Sequence, residues 1–471
     1  MRIGIKIPIS LPSCVCATLL GIIGIALADN APPPIRVVYF VPADRQPLKN
    51  YAERCDRVMK HVHAFYRTGM EKLGYGPRTF FLETDAAGKL KLHMVQGALP
   101  AREYGRNDGG KVRGEVKKAL AEETIDADKE TLVIFQVLLD WVDGKAVEVG
   151  PFVGGGNHLH GTGYFYDDER LDPNLLPSKK SGGYYGGPCS IGQFNTHYIG
   201  GIAHEMGHAF GLPHDHEIPF TKNQERSLMG AGNHTYGQEL RGEGPGTFLT
   251  LASGTRLLYT RAFVGDLKDA AVHPQCRLTQ FSAVAKPWQL TLNGRVSAAI
   301  PAHAVIVYND PVAVKGDYDA IGWTCRVGKD GTFQINIPGL KAEAYDLRLT
   351  VCHSNGAATV LPFSYSVSSD GMADVGDFDA AMAKSSEPIA GRWQWSPPDQ
   401  VVTLHSNGDA KSSYGGRGHW KLMDRDKRTY EIRWEAGFLD KLTLSVDGTV
   451  LSRTIQYGAQ GPGFTKMMSA K

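Results

Sequence analysis

The chain has 471 residues, 42% of them hydrophobic, which is enough for about three domains with packed cores. Its 51 Lys and Arg against 49 Asp and Glu leave a formal net charge of +2, with both signs interspersed. No polybasic footprint therefore points to nucleic acid or an anionic membrane as a partner.

Arg2 and Lys6 precede an apolar run over 19–25 that ends at Ala26-Leu27-Ala28, a small-x-small cleavage signature before Asp29. Residues 1–28 read as a signal peptide, and the mature chain as secreted, extracellular or periplasmic. No later segment is apolar for long enough to span a bilayer. Only residues 29–35 separate the cleavage site from the first strand, which leaves no room for an inhibitory propeptide. Loss of the leader removes Cys14 and Cys16 and leaves Cys55, Cys189, Cys276, Cys325 and Cys352 where disulfides are permitted. Cys325 with Cys352 is the first pairing expected.

Arg36-Val37-Val38-Tyr39-Phe40-Val41 predicts a buried first strand, and a helix follows over 51–73 with Val58, Val62, Phe65 and Tyr66 facing inward. Segments 79–83 and 89–95 flank an Asp85-Ala86-Ala87-Gly88 turn as a hairpin. A second helix around 111–123 leads to an apolar strand over 131–139. The Gly/Pro-rich stretch 144–192 reads as a long loop at the edge of a cleft. Within it, His158 and His160 are expected in a solvated glycine-rich loop, with lining of the cleft or binding of a second ion as the alternatives, and Asp167-Asp168-Glu169 is expected as a solvated turn, with calcium binding as the alternative.

Ile199, Ile202, Ala203, Met206, Ala209 and Phe210 then recur at three- and four-residue intervals, which predicts a helix with one apolar face on the core. His204 and His208 lie off that face, four residues apart, so both project toward one metal ion. Gly211 suits a left-handed helix end, and Pro213 prevents the helix from resuming. The turn returns His214 toward the same ion and leaves a fourth tetrahedral position open. Zn2+ held by three neutral imidazoles keeps its full charge and lowers the pKa of water toward about 7. Glu205 is the expected general base, and Asp215 an orienting acceptor of backbone hydrogen bonds rather than a ligand. A His-Glu-x-x-His match alone arises by chance in a chain this long on the order of 5% of the time, but adding Gly211 and His214 lowers the accident to on the order of 1 in 10⁴.

With this motif from His204 to His214, and with Ser227-Leu228-Met229-Gly230 following at Met-turn distance, the chain resembles the metzincin metallopeptidases over about residues 195–235. The resemblance implies an α+β metzincin-like catalytic domain over 29–266, peptide-bond hydrolysis, zinc as the cofactor, and Met229 as the apolar base beneath the histidines. The His214-Asp215 ending is similar to the adamalysin branch, but the cysteine-rich stretch of that branch is missing. Ala231 stands where an astacin-type enzyme has its tyrosine. No branch is assigned, and no side-chain oxyanion stabiliser is named. His216 and His234 are expected at the surface, His197 at a helix start or against substrate, and Tyr236 is a secondary candidate for the cleft.

After about residue 266 short alternating runs over 290–292, 304–308, 332–337, 345–351 and 360–367 predict an immunoglobulin-like β-sandwich over 267–367. The Ala/Ser/Asp-rich stretch 368–388 reads as a mobile linker. Runs over 391–395, 401–405, 418–423, 430–434, 442–446 and 450–456 predict a small six-stranded β-meander or barrel over 389–471. Trp393, Trp395, Trp420 and Trp434 are expected to fill its core, with stacking on a sugar as the alternative. The whole metal constellation lies before residue 230, so both β domains are expected to target the enzyme, through a glycan or cell-surface ligand, while the first domain works alone.

These readings predict a secreted zinc endopeptidase acting on protein or peptide chains. Two other classes stay open. One is a zinc amidohydrolase acting on a glycan or cell-wall substrate; the other is a binding or adhesion protein with a vestigial zinc site, which the intact Glu205 argues against.

Overall fold

The structure is a computed structural model that describes residues 32–219, 225–313, 317–375, 378, 389–395, 400–405, 408–413, 415–424, 426–445, 450–457 and 460–469. The expected signal peptide and the segment 379–388 of the expected linker lie outside the described residues.

The first core is built on β1 (Arg36–Val41), α1 (Tyr51–Lys72), β2 (Leu92–Gln96), α2 (Gly109–Glu122) and β3 (Leu132–Gln136). β1 lies between β2 and β3, parallel to both, and α1 and α2 supply the crossovers that parallel pairing requires. Val58, Val62, Tyr66 and Met70 of α1 and Val112, Val116 and Leu120 of α2 are fully buried. The expected hairpin is reduced to a single bridge, Thr84 to Leu90, because the following residues pair with β1 instead.

β4 (Leu139–Val142) and β5 (Lys145–Glu148) form a hairpin, and β6 (Val153–Gly156) runs antiparallel to β7 (Gly161–Tyr166), which extends the sheet as β2-β1-β3-β7-β6. The loop expected over 144–192 thus contains a central strand. All six residues of β7 are buried, and a strand covered on both faces shows no alternation of polar and apolar residues. Asp167 is no solvated turn residue either. Its carboxylate accepts from Arg54 Nε and Nη2, both at 2.6 Å, and from Tyr39 OH at 2.6 Å, a buried structural pair.

β8 (Ser181–Tyr184) and β9 (Pro188–Ser190) lead into α3 (Ile191–Ala209), whose start is held by a capping box between Ser190 and Gln193. The short parallel strands β10 (Arg226–Ser227) and β11 (Thr247–Phe248) and the helices α4 (Leu251–Leu257) and α5 (Arg261–Val264) follow. Tyr236, a secondary candidate for the cleft, is buried against Phe65 and His61.

The second core is a sandwich of two antiparallel sheets. β12 (Arg277–Lys286), β13 (Gln289–Ser297) and β16 (Thr332–Pro338) form one; β15 (Ile321–Arg326), β14 (Ala302–Pro311), β17 (Ala344–His353) and β18 (Ala358–Ser366) form the other. Leu290, Leu292, Val305, Val307, Leu347 and Leu349 meet between them. Val367, Ala373 and Phe378 belong to the same core, so the first part of the stretch expected as a linker is packed. A small apolar joint of Ala252 with Ala304, Ile306, Tyr308, Ala320 and Cys352 connects α4 to this domain.

The last core is a closed barrel of eight strands rather than six: β19 (Gly391–Trp395), β20 (Gln400–Leu404), β21 (Asp409–Ser412), β22 (Arg417–Asp424), β23 (Thr429–Trp434), β24 (Leu439–Leu444), β25 (Val450–Tyr457) and β26 (Gln460–Ser469). Trp393, Trp395 and Trp420 are buried in it, and the indole N–H groups of Trp393 and Trp420 donate to the Ile389 and His405 carbonyls.

The disulfide expectation is overturned. Cys55, Cys189, Cys276, Cys325 and Cys352 are all free thiols. Cys325 and Cys352 sit on β15 and β17, which flank β14 on opposite sides, so their Cα atoms stand two strand spacings apart, about 9–10 Å, beyond the reach of a disulfide. Among the described residues no helix is long and apolar enough to cross a membrane.

Candidate metal centre

α3 carries His204 and His208 on the side turned toward the segment that follows it. Phe210 caps the helix, Gly211 takes φ 83°, and the chain reverses over Leu212 and Pro213 to present His214. The Nε2 atom of His208 lies 3.1 Å from that of His204 and 3.2 Å from that of His214. Each remaining ring nitrogen has its own acceptor. His204 Nδ1 donates to the Leu228 carbonyl at 2.6 Å, His208 Nδ1 to the Leu212 carbonyl at 2.9 Å, and His214 Nδ1 to Asp317 Oδ1 at 2.6 Å.

That arrangement tests the fit to a metal. With the three protons on Nδ1, the facing Nε2 atoms are all lone-pair acceptors, and no hydrogen bond can satisfy three acceptors pointed at one another. A cation can. Nitrogens about 2.0–2.1 Å from a tetrahedral ion stand about 3.3 Å apart, close to the spacing observed. Burial pushes His204 down to about 3, helped by the charge of His208, and burial also lowers His208, so both stay neutral as ligation requires. Among the described residues these histidines form the one group of His, Cys, Asp or Glu side chains suited to hold a metal ion.

Met229 is fully buried next to Gly207, where any added Cβ would strike its sulfur, and its neighbour Leu228 supplies the acceptor for His204. Glu205, beside the first ligand, receives the Gly154 N–H at Oε2, 2.7 Å away. Burial pushes its carboxyl up to about 7, against the opposing effect of that hydrogen bond. β6 reaches this position because Gly154 has no side chain; a Cβ there would collide with the main chain of Glu205. Asp215 is buried and accepts from Thr250 Oγ1, Ser253 Oγ and Gly322 N–H, so it ties the turn to α4 and to the sandwich.

His158 lines the same cleft as His208 and His214 and donates from Nε2 to the Ala270 carbonyl at 2.8 Å; among the described residues neither His158 nor His160 joins a metal-binding cluster. His216 is half-buried with Nδ1 on the Glu217 carbonyl. His234 is exposed, as expected, and its Nδ1 lies 3.1 Å from that of His197, which sits within α3 rather than at its start and has Tyr185 stacked on it at 3.8 Å.

Sequence reasoning missed three residues of the sandwich. Asp317 bonds His214, Arg348 Nη1 reaches Asp317 Oδ2 at 2.5 Å, and the Tyr318 ring stacks on His214 with centroids 3.7 Å apart. No motif marks them, since they come from two segments more than 100 residues past the ligands. A cleft of about 1270 Å³ runs from Gly154 and His214 along the sandwich past Asp310 and Arg348 to His405 and Arg428 of the barrel.

No protein-family model matches the chain, and no curated protein is significantly similar to it. Among solved structures, wild-type OgpA from Akkermansia muciniphila is similar with a TM-score of 0.62 and 25% sequence identity, over 74% of this chain and 96% of that one. A catalytically inactive OgpA from the same organism, in complex with an O-glycopeptide (glycodrosocin) substrate, is similar with a TM-score of 0.62 and 24% identity, over 73% and 95% of the two chains.

Proposed function

We propose that this chain is a secreted zinc-dependent peptidase that cleaves O-glycosylated peptides. One observation carries the reading: three imidazoles, each with Nδ1 already bonded, turn three Nε2 lone pairs onto one point with Glu205 beside them. The substrate class draws on the similarity to OgpA, whose substrate is an O-glycopeptide. Export rests on the leader-like residues 1–28.

His204, His208 and His214 would hold the zinc, which would supply Lewis acidity toward a carbonyl and a water of lowered pKa. Glu205 accepts the proton of the attacking water and returns a proton to the departing amine nitrogen, while the Gly154 N–H holds its carboxylate in orientation. β6 pairs with β7 on one side only, so its other edge offers main-chain donors and acceptors to an extended peptide. The cleft is larger than the roughly 300–1,000 Å³ of a small-molecule site, which supports a peptide with an attached glycan over a lone amide. Its lining by His405 and Arg428 supports contact between a bound chain and the barrel.

The test compares an O-glycopeptide with its bare counterpart, using wild type and Glu205→Gln. Cleavage of the glycosylated peptide is expected, with a loss of about 10²–10⁴-fold and retained zinc in the variant. Wild-type turnover by Glu205→Gln overturns the mechanism. Equal cleavage of both peptides overturns the substrate class.

A further inference from the structure

We propose that the β-sandwich completes the metal centre, with Asp317 as the positioning residue for His214. The inference rests on the zinc reading above and concerns what holds the third ligand in place.

His204 and His208 are set by a rigid helix and bond carbonyls of their own domain. His214 follows the helix on residues 212–215, which belong to no regular element. Its ring takes contacts from both sides of the domain boundary: His208 lies against it within the first domain, and residues of the sandwich reach it from the other side. Asp317 Oδ1 takes the Nδ1 proton at 2.6 Å, Arg348 braces the other carboxylate oxygen, and Tyr318 covers the ring face. The two backbones are also tied together directly. His216 N–H donates to the Ala320 carbonyl at 2.7 Å, His216 forms a parallel bridge with Ile321, and Gly322 N–H donates to Asp215 Oδ1 at 3.1 Å.

Asp317 holds this position at φ 52°, a left-handed conformation unfavourable for a residue with a Cβ. The bonds to His214 and Arg348 offset that strain. A carboxylate on the remote nitrogen of a ligating histidine fixes its tautomer and raises its basicity, and loss of such a partner typically lowers metal affinity 10–100-fold. Linkage then runs both ways: a contact that favours the metal through His214 makes the metal favour docking of the sandwich by the same factor.

The experiment measures zinc affinity of the full chain by competition with a chromophoric chelator, together with the visible spectrum of the cobalt-substituted protein. Asp317→Ala should lower zinc affinity about 10–100-fold and alter the cobalt bands. Asp317→Asn keeps an acceptor oxygen without the charge and should fall between that variant and wild type, which carries the test if the alanine variant fails to fold. Asp346→Asn is the control: Asp346 lies on β17, as Arg348 does, and accepts from Ser364 rather than from His214, so affinity and spectrum should be unchanged. Wild-type affinity and spectrum in both Asp317 variants, or an equal loss in Asp346→Asn, overturns the proposal while leaving the zinc reading intact. A wild-type chain that takes up no zinc overturns the zinc reading and this proposal with it.

Discussion

Replacing Gly154 by alanine tests how closely β6 must lie on α3 for Glu205 to work. A Cβ at this position would fall within collision distance of the Glu205 carbonyl oxygen, carbonyl carbon and Cα, all main-chain atoms inside a packed helix. Neither side can yield by rotating a side chain, so β6 must retreat by about 1 Å. The same retreat stretches the Gly154 N–H bond to Glu205 Oε2 from 2.7 Å toward the limit of useful hydrogen bonding. Overpacking of this kind costs about 1–3 kcal/mol of stability, and a displacement of about 1 Å near the reacting atoms costs on the order of 10²-fold in rate. Expected, then, are unchanged zinc content, kcat/KM on an O-glycopeptide reduced on the order of 10²-fold, and a melting temperature lower by roughly 2–10 °C. Gly155→Ala is the matched control, since a Cβ there meets nothing within 4 Å. Wild-type turnover and melting in Gly154→Ala, or an equal loss in Gly155→Ala, would refute the idea that strand-to-helix contact sets the position of Glu205.

Met229→Ala opens a cavity beneath the ligand helix and should cost about 2–5 kcal/mol in denaturant titrations, whereas Met229→Leu should cost under about 1.5 kcal/mol; an alanine variant as stable as wild type would remove Met229 from the floor of the site. Burial pushes His303 down to about 3 and His353 to about 4, next to the joint between the first two domains. The unfolded chain therefore binds protons that the folded chain does not as pH falls from about 6.5 toward 4, and stability should drop by roughly 1–2 kcal/mol per pH unit across that window. Thermal melts from pH 7 to pH 4 should show a shallower decline in His303→Gln, and identical slopes would exclude this histidine as a source.

The cluster of three histidines was legible because its spacing is local. A four-residue spacing on a helix places His204 and His208 together whatever surrounds them, and Gly211 followed by Pro213 dictates the reversal that returns His214. β1, α1, α2 and five of the sandwich strands were legible for the same reason, since a 3.6 or 2.0 residue period records which side faces a core. β7 was not. Its glycines resemble a loop in sequence, yet Gly161 is required because the strand backs onto the main chain of α3 at Ala209, a constraint that exists only once helix and sheet are packed.

By itself, the sequence determined that His204, His208 and His214 come together, and that β-rich segments follow them, because both follow from spacing along one stretch of chain. It left the division of labour among domains undecided. The expected independence of the catalytic half followed from every proposed ligand lying before residue 230. Only tertiary structure brings Asp317, Tyr318 and Gly322 onto His214 and Asp215 across more than 100 residues of chain. Side-chain hydrogen bonds and ring stacking carry no periodicity, so a partner supplied by a distant loop leaves no pattern in the sequence around it. Local spacing places His214 beside His204 and His208, whereas the contacts of Asp317 and Tyr318 on its ring exist only because a second domain packs there.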